Sequence, residues 1–431
     1  MKKALLTAAV FFLLASLSWA GEYDLEIPEA KKSPWELGGK LEFAYIFHRL
    51  DQESAPYRLK AFNQDDREHL NEWRPLLEWQ GGYRRESFRF FLAAHHEYDQ
   101  TGWGEEWTHR VYQGYLSITP SPRLTVDIGK KTFLWGKGYA WNPAGFINRP
   151  KDPDDPELNL EGFTALSLDY IKSYTGGGLT TIAVTPVLLP VFDWENTSLG
   201  QTGEINYAVK LYFLLYDTDI DLIYFGGPSQ PDSYGLDFSA NLKENLEVHG
   251  ELAWRKQVRR VVVDSAGRTT AFEEDQTGFL LGIRCLTATE TTFIIEYYRN
   301  GAGYDQSEIE DFFVYQETAY SRFLAGRDPS VMTNLSNRTR PYYAQKNFGR
   351  DYFYFKVSQK EPGGILYFTP WAAMIVNLQD FSFSLSPGLN YLPAADLEFS
   401  FKITAPIGPP GTEFGEKQDD FRSEFIVRYY F

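Results

Sequence analysis

The chain has 431 residues, 43% of them apolar and 17% aromatic, with a formal net charge of −16 and a single cysteine, Cys285. So acidic a chain makes a poor partner for nucleic acid, and a lone cysteine excludes an internal disulfide framework. After residue 20 no stretch reaches the roughly 18 uncharged apolar residues of a membrane helix, so residence in lipid would require a closed barrel.

The N-terminus reads as an export leader. Lys2 and Lys3 supply the positive start, Ala4 through Leu17 the apolar run, and Ser18-Trp19-Ala20 a small-x-small cleavage site. The mature chain is expected to begin at Gly21 after cleavage behind Ala20, with 21–36 a short periplasmic segment and 37–431 one barrel domain. From Leu37 onward, apolar residues recur at every second position over the ~9–11 residues that a tilted membrane strand needs. In the first segment Leu41, Phe43, Tyr45 and Phe47 share one face, and Lys40, Glu42 and His48 the other. The same pattern predicts strands at 37–48, 71–83, 86–98, 107–118, 122–133, 162–173, 177–187, 203–216 and 218–226. It continues at 232–243, 245–256, 276–287, 291–300, 351–359, 365–378, 381–391, 396–404 and 421–431. The expected fold is an all-β, antiparallel, up-and-down transmembrane barrel of about 18 strands, with 16 as the alternative.

The connections sort by length. Short ones fall near 84, 120, 175, 217, 244, 289, 361 and 393; long ones occupy 51–70, 134–161, 188–202, 256–275, 301–350 and 405–420. Short and long alternate along the chain, as periplasmic turns and external loops do in a membrane barrel, which places both termini in the periplasm. Pro75, Pro186, Pro370 and Pro387 sit within or near the ends of predicted strands. There a missing N–H breaks the ladder, and they imply bulges or shifted boundaries.

The faces opposite the apolar ones should line the lumen. They carry Arg74, Arg89, Lys131, Lys210, Arg255, Arg284, Arg422 and Arg428, interleaved with Glu78, Glu97, Asp127, Glu251, Glu296 and Glu424. The signs nearly balance, so the strand walls predict a water-filled conduit with a transverse field rather than sharp ion selectivity. The acidic excess then belongs to loops and turns. In His95-His96-Glu97 only His95 and Glu97 can share the lumen, because neighbouring strand residues face opposite ways. No Gly-x-Ser-x-Gly elbow, His-Glu-x-x-His pair or phosphate loop occurs, and no catalysis or bound cofactor is expected. Gly136-Lys137-Gly138 lacks the spacing and helix of a phosphate cradle.

Two loops carry further expectations. In 301–350, Ser307-Glu308-Ile309-Glu310 reads as a capping box. Ile309, Phe312, Phe313, Gln316, Tyr320, Phe323 and Leu324 then recur at helical spacing, with Gly326 at the stop. Such a helix folds inward as a constriction or lid, or lies on the rim. The basic run Arg338, Arg340, Lys346 and Arg350 follows it and could draw anions to the mouth. In 134–161, Trp135, Tyr139 and Trp141 lie among polar groups in an apparent infolded pore loop, and Asp152, Asp154, Asp155 and Glu157 are candidate oxygen ligands for Ca²⁺.

The last strand alternates Phe421, Ser423, Phe425, Val427, Tyr429 and Phe431 against Arg422, Glu424, Ile426, Arg428 and Tyr430. At Phe425, Val427, Tyr429 and Phe431 it resembles the closing strand of bacterial outer-membrane barrels, and it departs from that pattern at Ser423. Together with strand count and loop sorting, the whole mature chain resembles the porin-like family, most nearly its alginate-export type. A mixed wall sits poorly with that type's basic lumen. The resemblance implies insertion into the outer membrane of a Gram-negative cell, through machinery that reads the strand ending at Phe431. Lipid and lipopolysaccharide would surround the barrel, and hydrophilic solutes or oligosaccharides would pass through it. Polysaccharide export is the alternative within transport; an outer-membrane hydrolase or a surface adhesin is the alternative of another class.

Overall fold

A sheet wetted by lipid on one side and by water on the other is stable only without free edges. The structure, a computed structural model describing residues 33–64, 66–158 and 160–431, closes the sheet into a ring of 18 antiparallel strands in which β1 pairs with both β2 and β18. The strands are β1 (Trp35–Leu50), β2 (His69–Arg85), β3 (Phe88–Thr101), β4 (Gly104–Ser121), β5 (Leu124–Lys131), β6 (Phe163–Ser173), β7 (Leu179–Pro190), β8 (Ile205–Leu215) and β9 (Thr218–Gly227). They continue as β10 (Gln230–Lys243), β11 (Leu246–Val263), β12 (Thr269–Leu286), β13 (Thr291–Arg299), β14 (Asp351–Gln359), β15 (Phe368–Asn377), β16 (Phe383–Ala394), β17 (Leu397–Ile407) and β18 (Asp419–Tyr430).

Each of the 18 predicted segments overlaps one strand, and the 16-strand alternative is excluded. The leader lies outside the described residues, and the expected 21–36 segment ends sooner, since Trp35 and Glu36 already belong to β1. The predicted long loop 256–275 is a correction: β11 and β12 pair as far as Val263↔Thr269, leaving only 264–268 as a turn. Its charges gave no alternation to follow, yet two strands extending together satisfy each other's backbone above the barrel. The prolines are resolved in a similar way. Beside Pro75, Pro186 and Pro387 the pairing with one neighbour lapses, with β3, β6 and β17 respectively, while Pro370 falls just beyond the last β14–β15 pair. A residue without an N–H is tolerated where the ladder needs none.

The seam is fastened by the chain's last residues. Gly39 N–H donates to the Phe431 carbonyl at 2.9 Å, and Phe431 N–H returns to Gly39 at 3.1 Å. A Cβ at Gly39 would lie 2.4 Å from the Glu78 carbonyl and 2.7 Å from the Phe431 ring, so glycine is required there. Arg428 on β18 bridges Glu42 of β1 at 2.7 Å and Glu398 of β17 at 2.9 Å, tying three strands across the closure. Outward positions such as Phe43, Trp73, Leu116, Leu222, Leu281 and Phe401 stay exposed. No helix among the described residues is long and apolar enough to cross a membrane.

Among the described residues three α-helices stand at the long-loop end: α1 (Ala55–Ala61), α2 (Gln306–Gly326) and α3 (Pro329–Tyr343). Only α2 was legible in the sequence, and its cap lies two residues earlier than expected. Asp305 accepts from Glu308 N–H at 3.0 Å while Glu308 accepts from Asp305 N–H at 2.9 Å. The left-handed residue that ends α2 is Arg327, with φ 51°, and not Gly326.

Candidate functional site: a loop docked across the lumen

The 132–162 connection leaves β5 and attaches to the inner faces of β9, β11, β13 and β14. In a ring of 18 strands β14 stands nine places from β5, directly opposite, so the loop crosses the lumen. Buried carboxylates hold it there. Glu251 on β11 accepts from Lys137 and Gly138 N–H at 2.7 Å each, from Ala144 N–H at 2.9 Å and from Asn142 Nδ2 at 2.9 Å. Glu296 on β13 accepts from Ala140 N–H at 2.9 Å, from Tyr139 N–H and from the His249 ring at 2.9 Å. Lys137 reaches Asp221 at 3.1 Å and Asp237 at 3.8 Å. Peptide N–H groups in a loop need acceptors once water is excluded, and ionised carboxylates are the strongest available.

Gly136-Lys137-Gly138 is therefore a cradle for a carboxylate of its own wall. Gly136 has φ +94°, and a Cβ there would lie 2.7 Å from Glu251 Oε1. Around these polar contacts the aromatics pack. Trp141 stacks on Tyr298 at 4.9 Å and meets Tyr352 and Tyr354 at about 6 Å, while Trp135 joins a core with Ile223, Phe225 and Ala208.

Docking divides the lumen into two walls. On the covered wall Glu251 is 3% exposed and Glu296 0%. These two expected pore residues face inward but anchor the loop instead of meeting solvent, a correction that strand parity cannot foresee. Lys210 stands 3.9 Å from Asp221, and Arg255 lies over the Phe146 ring. On the opposite wall Arg74 pairs with Glu72 at 3.6 Å and Glu97 at 3.9 Å, Lys40 with Glu78 at 3.2 Å, and Lys131 with Asp127. Glu424 holds Lys402 at 3.1 Å and Arg422 at 2.8 Å. The side chains of Arg74, Lys131 and Arg422 remain 29–33% exposed, so this wall meets solvent chiefly through its cations; the expected pore residues Asp127 and Glu424 are buried beneath them, at 6% and 5% exposure, a further correction. Arg89 (paired with Glu36) and Arg284 (near Glu247) sit toward the short-turn end. His95 lies between Glu78 at 2.9 Å and Glu97 at 3.7 Å, stacked on Tyr112, while His96 faces outward with His109.

The acidic run of the loop does not form the expected cation site. Asp152 pairs with Lys346 at 2.9 Å and Glu157 with Lys356 at 3.5 Å, and Asp154 N–H is turned onto Asp152. No three His, Cys, Asp or Glu side chains among the described residues converge as metal ligands. Alternate carboxylates of an irregular loop point to different partners. Although burial works to raise it, Lys346 and the Asp154 N–H hold the Asp152 carboxyl below its usual range. Burial pushes Asp155 upward against the pull of Lys402 and Arg428. Arg422 stands within electrostatic reach of Asp152 and Asp154. The acidic edge thus faces the basic part of the wet wall.

Helices α2 and α3 join the mouth from both sides. They pack with Leu59 and Phe62 of the connection after β1 and with Val262 and Val263 on the extension of β11, which lies eight strands from β1 by the shorter way round. Arg58 pairs with Glu317 at 2.6 Å on one side and Arg260 with Glu308 at 2.6 Å on the other. Ile309, Phe312, Phe313 and Phe323 are buried in this cluster, with Tyr320 half-buried against it and Leu324 exposed. Tyr342 stacks between Tyr304 at 3.8 Å and Phe312 at 3.9 Å. Of the basic run, Arg338 donates to the Gly267 carbonyl, Lys346 holds Asp152 and Arg350 approaches Gly303. These cations bind loops together.

A sealed antiparallel ring with one loop folded through it is a porin-like barrel. No protein-family model matches the sequence, and no curated protein does. Among solved structures, OpdR of Pseudomonas aeruginosa is similar at 11% identity and a TM-score of 0.50, covering 91% of this chain and 95% of that one. OpdQ of the same organism is similar at 10% identity and a TM-score of 0.50, covering 92% and 98%. At such identity the likeness is one of fold. It supports a porin-like barrel and not the alginate-export type in particular.

Proposed function

We propose that the protein is a passive outer-membrane channel for small hydrophilic solutes, not an enzyme. The observation that carries this reading is the loop 132–162, docked on the far wall of a closed ring so that one wall is sealed and the other stays wet and charged. A barrel of this width is too large for wall side chains to fill, so a docked loop sets the bore. The acidic edge facing Lys402, Arg422 and Arg428 gives a transverse field that orders polar solutes and passes apolar ones poorly. The sorting of connections supports periplasmic termini and external helices. The likeness of fold to OpdR and OpdQ of Pseudomonas aeruginosa agrees with a barrel that spans a membrane. A crossing loop narrows the lumen, which favours small solutes or short oligosaccharides over export of a polysaccharide.

Single-channel recording in planar bilayers tests the proposal. Stepwise conductance with a modest reversal potential in a salt gradient is the expected result. Purified protein that inserts into bilayers and conducts nothing would overturn it.

A further inference from the structure

Charge is spread unevenly over the short-turn end of the barrel. The turns after β2, β4 and β6 lie side by side. Thr119 N–H donates to the Ser87 carbonyl at 2.6 Å, and Ile171 N–H to the Arg123 carbonyl at 2.9 Å. Arg84, Arg85, Arg123 and Lys172 stand exposed on this arc, and Glu86 is the one carboxylate in its three turns. Among the described residues none of these four cations has an ion-pair partner; the Lys172 ammonium lies over the Tyr174 ring at 4.9 Å. The nearby Arg89 is already matched by Glu36 at 3.3 Å. The five later short turns have the opposite sign. Each carries a carboxylate, in order Asp217, Glu244, Glu290, Glu361 and Asp396. Lys243 and Lys360 are the cations beside them, and Lys360 stands 4.0 Å from Glu290. In a chain of net charge −16 the basic arc is a local reversal.

The rings just inside the arc indicate which anion it meets. On the outward face Tyr83 precedes Arg85 on β2, and Tyr170 precedes Lys172 on β6, each cation lying one outward position nearer the turn. Tyr83 meets Trp35 at 4.6 Å and Phe88 at 5.8 Å, and Phe88 and Tyr170 are exposed. Aromatic rings gather at the boundary of a bilayer, and long basic side chains reach past them to the headgroups. A soluble acidic partner would have no use for rings beneath the cations.

We propose that this arc of four cations binds the headgroups of anionic phospholipid in the leaflet at the short-turn end. Phosphate oxygens accept from the guanidinium groups of Arg85 and Arg123 and from the Lys172 ammonium. The acidic turns on the rest of the rim repel the same lipids, which therefore collect on one side of the barrel. This concerns the seat of the barrel in its membrane and stands or falls apart from the channel reading.

Local lipid composition tests the proposal. The full chain is placed in phosphatidylcholine nanodiscs and labelled with a fluorophore at a single cysteine. Ser121→Cys combined with Cys285→Ser reports from the arc. The native Cys285, on the outward face of β12 near the Glu290 turn, reports from the other side. Trace phosphatidylglycerol or phosphatidylcholine with a nitroxide on its acyl chain serves as the quencher. At the arc phosphatidylglycerol should be enriched about fivefold over phosphatidylcholine, the effect of roughly one basic residue at the surface. At Cys285 it should show no excess. High salt should erase the enrichment, and so should Arg84→Gln, Arg85→Gln, Arg123→Gln and Lys172→Gln together. Equal quenching by the two lipids at the arc overturns the proposal. So does an excess that survives both high salt and the four substitutions, or one equally large at Cys285. The salt titration leaves all four cations in place, so it decides the matter even where the fourfold variant folds poorly.

Discussion

At the scale of single residues, Glu251 shows how a lumenal charge becomes structural. Its four donors all come from one loop, and two of them are peptide N–H groups at 2.7 Å. Hydrogen bonds to a charged partner contribute about 1.5–3 kcal/mol each. Glu251→Gln keeps the shape but turns an amide NH₂ toward those donors, so loop docking should weaken by roughly 3 kcal/mol, two such bonds. The expected readout is a larger, flickering single-channel conductance; a trace identical to the unmodified protein's would argue against the anchor. Asp155 offers a second test. Burial raises its carboxyl above the ordinary aspartate range, so it loses its charge earlier as the pH falls. The acidic edge then weakens while Lys402 and Arg428 stay charged, and selectivity should shift toward anions on acidification. Asp155→Asn should show that shift already at neutral pH and less further change below it, measured as reversal potential against pH.

At the scale of elements, α2 and α3 behave as one hairpin held between opposite rims. Its clamp consists of Arg58–Glu317 on one side, Arg260–Glu308 on the other and the Tyr304–Tyr342–Phe312 stack between. Replacing 305–343 with a short flexible linker should leave the 18-strand ring intact, because the hairpin supplies no strand. Conductance should rise if the hairpin stands over the mouth, and an unchanged value would place it on the rim. The paired extension of β11 and β12 gives α2 and α3 their seat, so the stretch expected as a free loop in fact positions the hairpin.

At the scale of the whole molecule, one alternation serves two solvents. Leu281, outward and 55% exposed, lies midway along the part of β12 below its extension, 276–286. Arginine at the midplane of a lipid-facing wall costs about 2–4 kcal/mol. Leu281→Arg should therefore lower the folded yield in bilayers, whereas Arg284→Leu at the inward, partly exposed end of the same strand should not; equal yields would contradict the assignment of faces. The lumen's field is likewise collective. Asp154→Asn with Asp155→Asn removes part of the acidic edge while the opposite cations remain, so the double variant should become more anion-selective than the parent in a salt gradient.

The alternation of side chains, a local property of the extended backbone, is written residue by residue. It determined the strand segments, the inward or outward facing of Arg74, Glu97 or Leu281 and the order of connections, while a separate 3.6-residue spacing marked the helix at Ile309–Phe323. Which inward residues meet water was decided elsewhere. Glu251 and Glu97 look alike in the sequence, and only the path of the 132–162 loop across to the opposite wall buries the first and leaves the second wet. The carboxylates at 152–157 were dispersed in the same way, each drawn to a cation from another part of the chain. Parity acts between neighbours along a strand, whereas docking joins segments as far apart in the chain as Lys137 and Asp221 or Ala140 and Glu296, so no local pattern carries it.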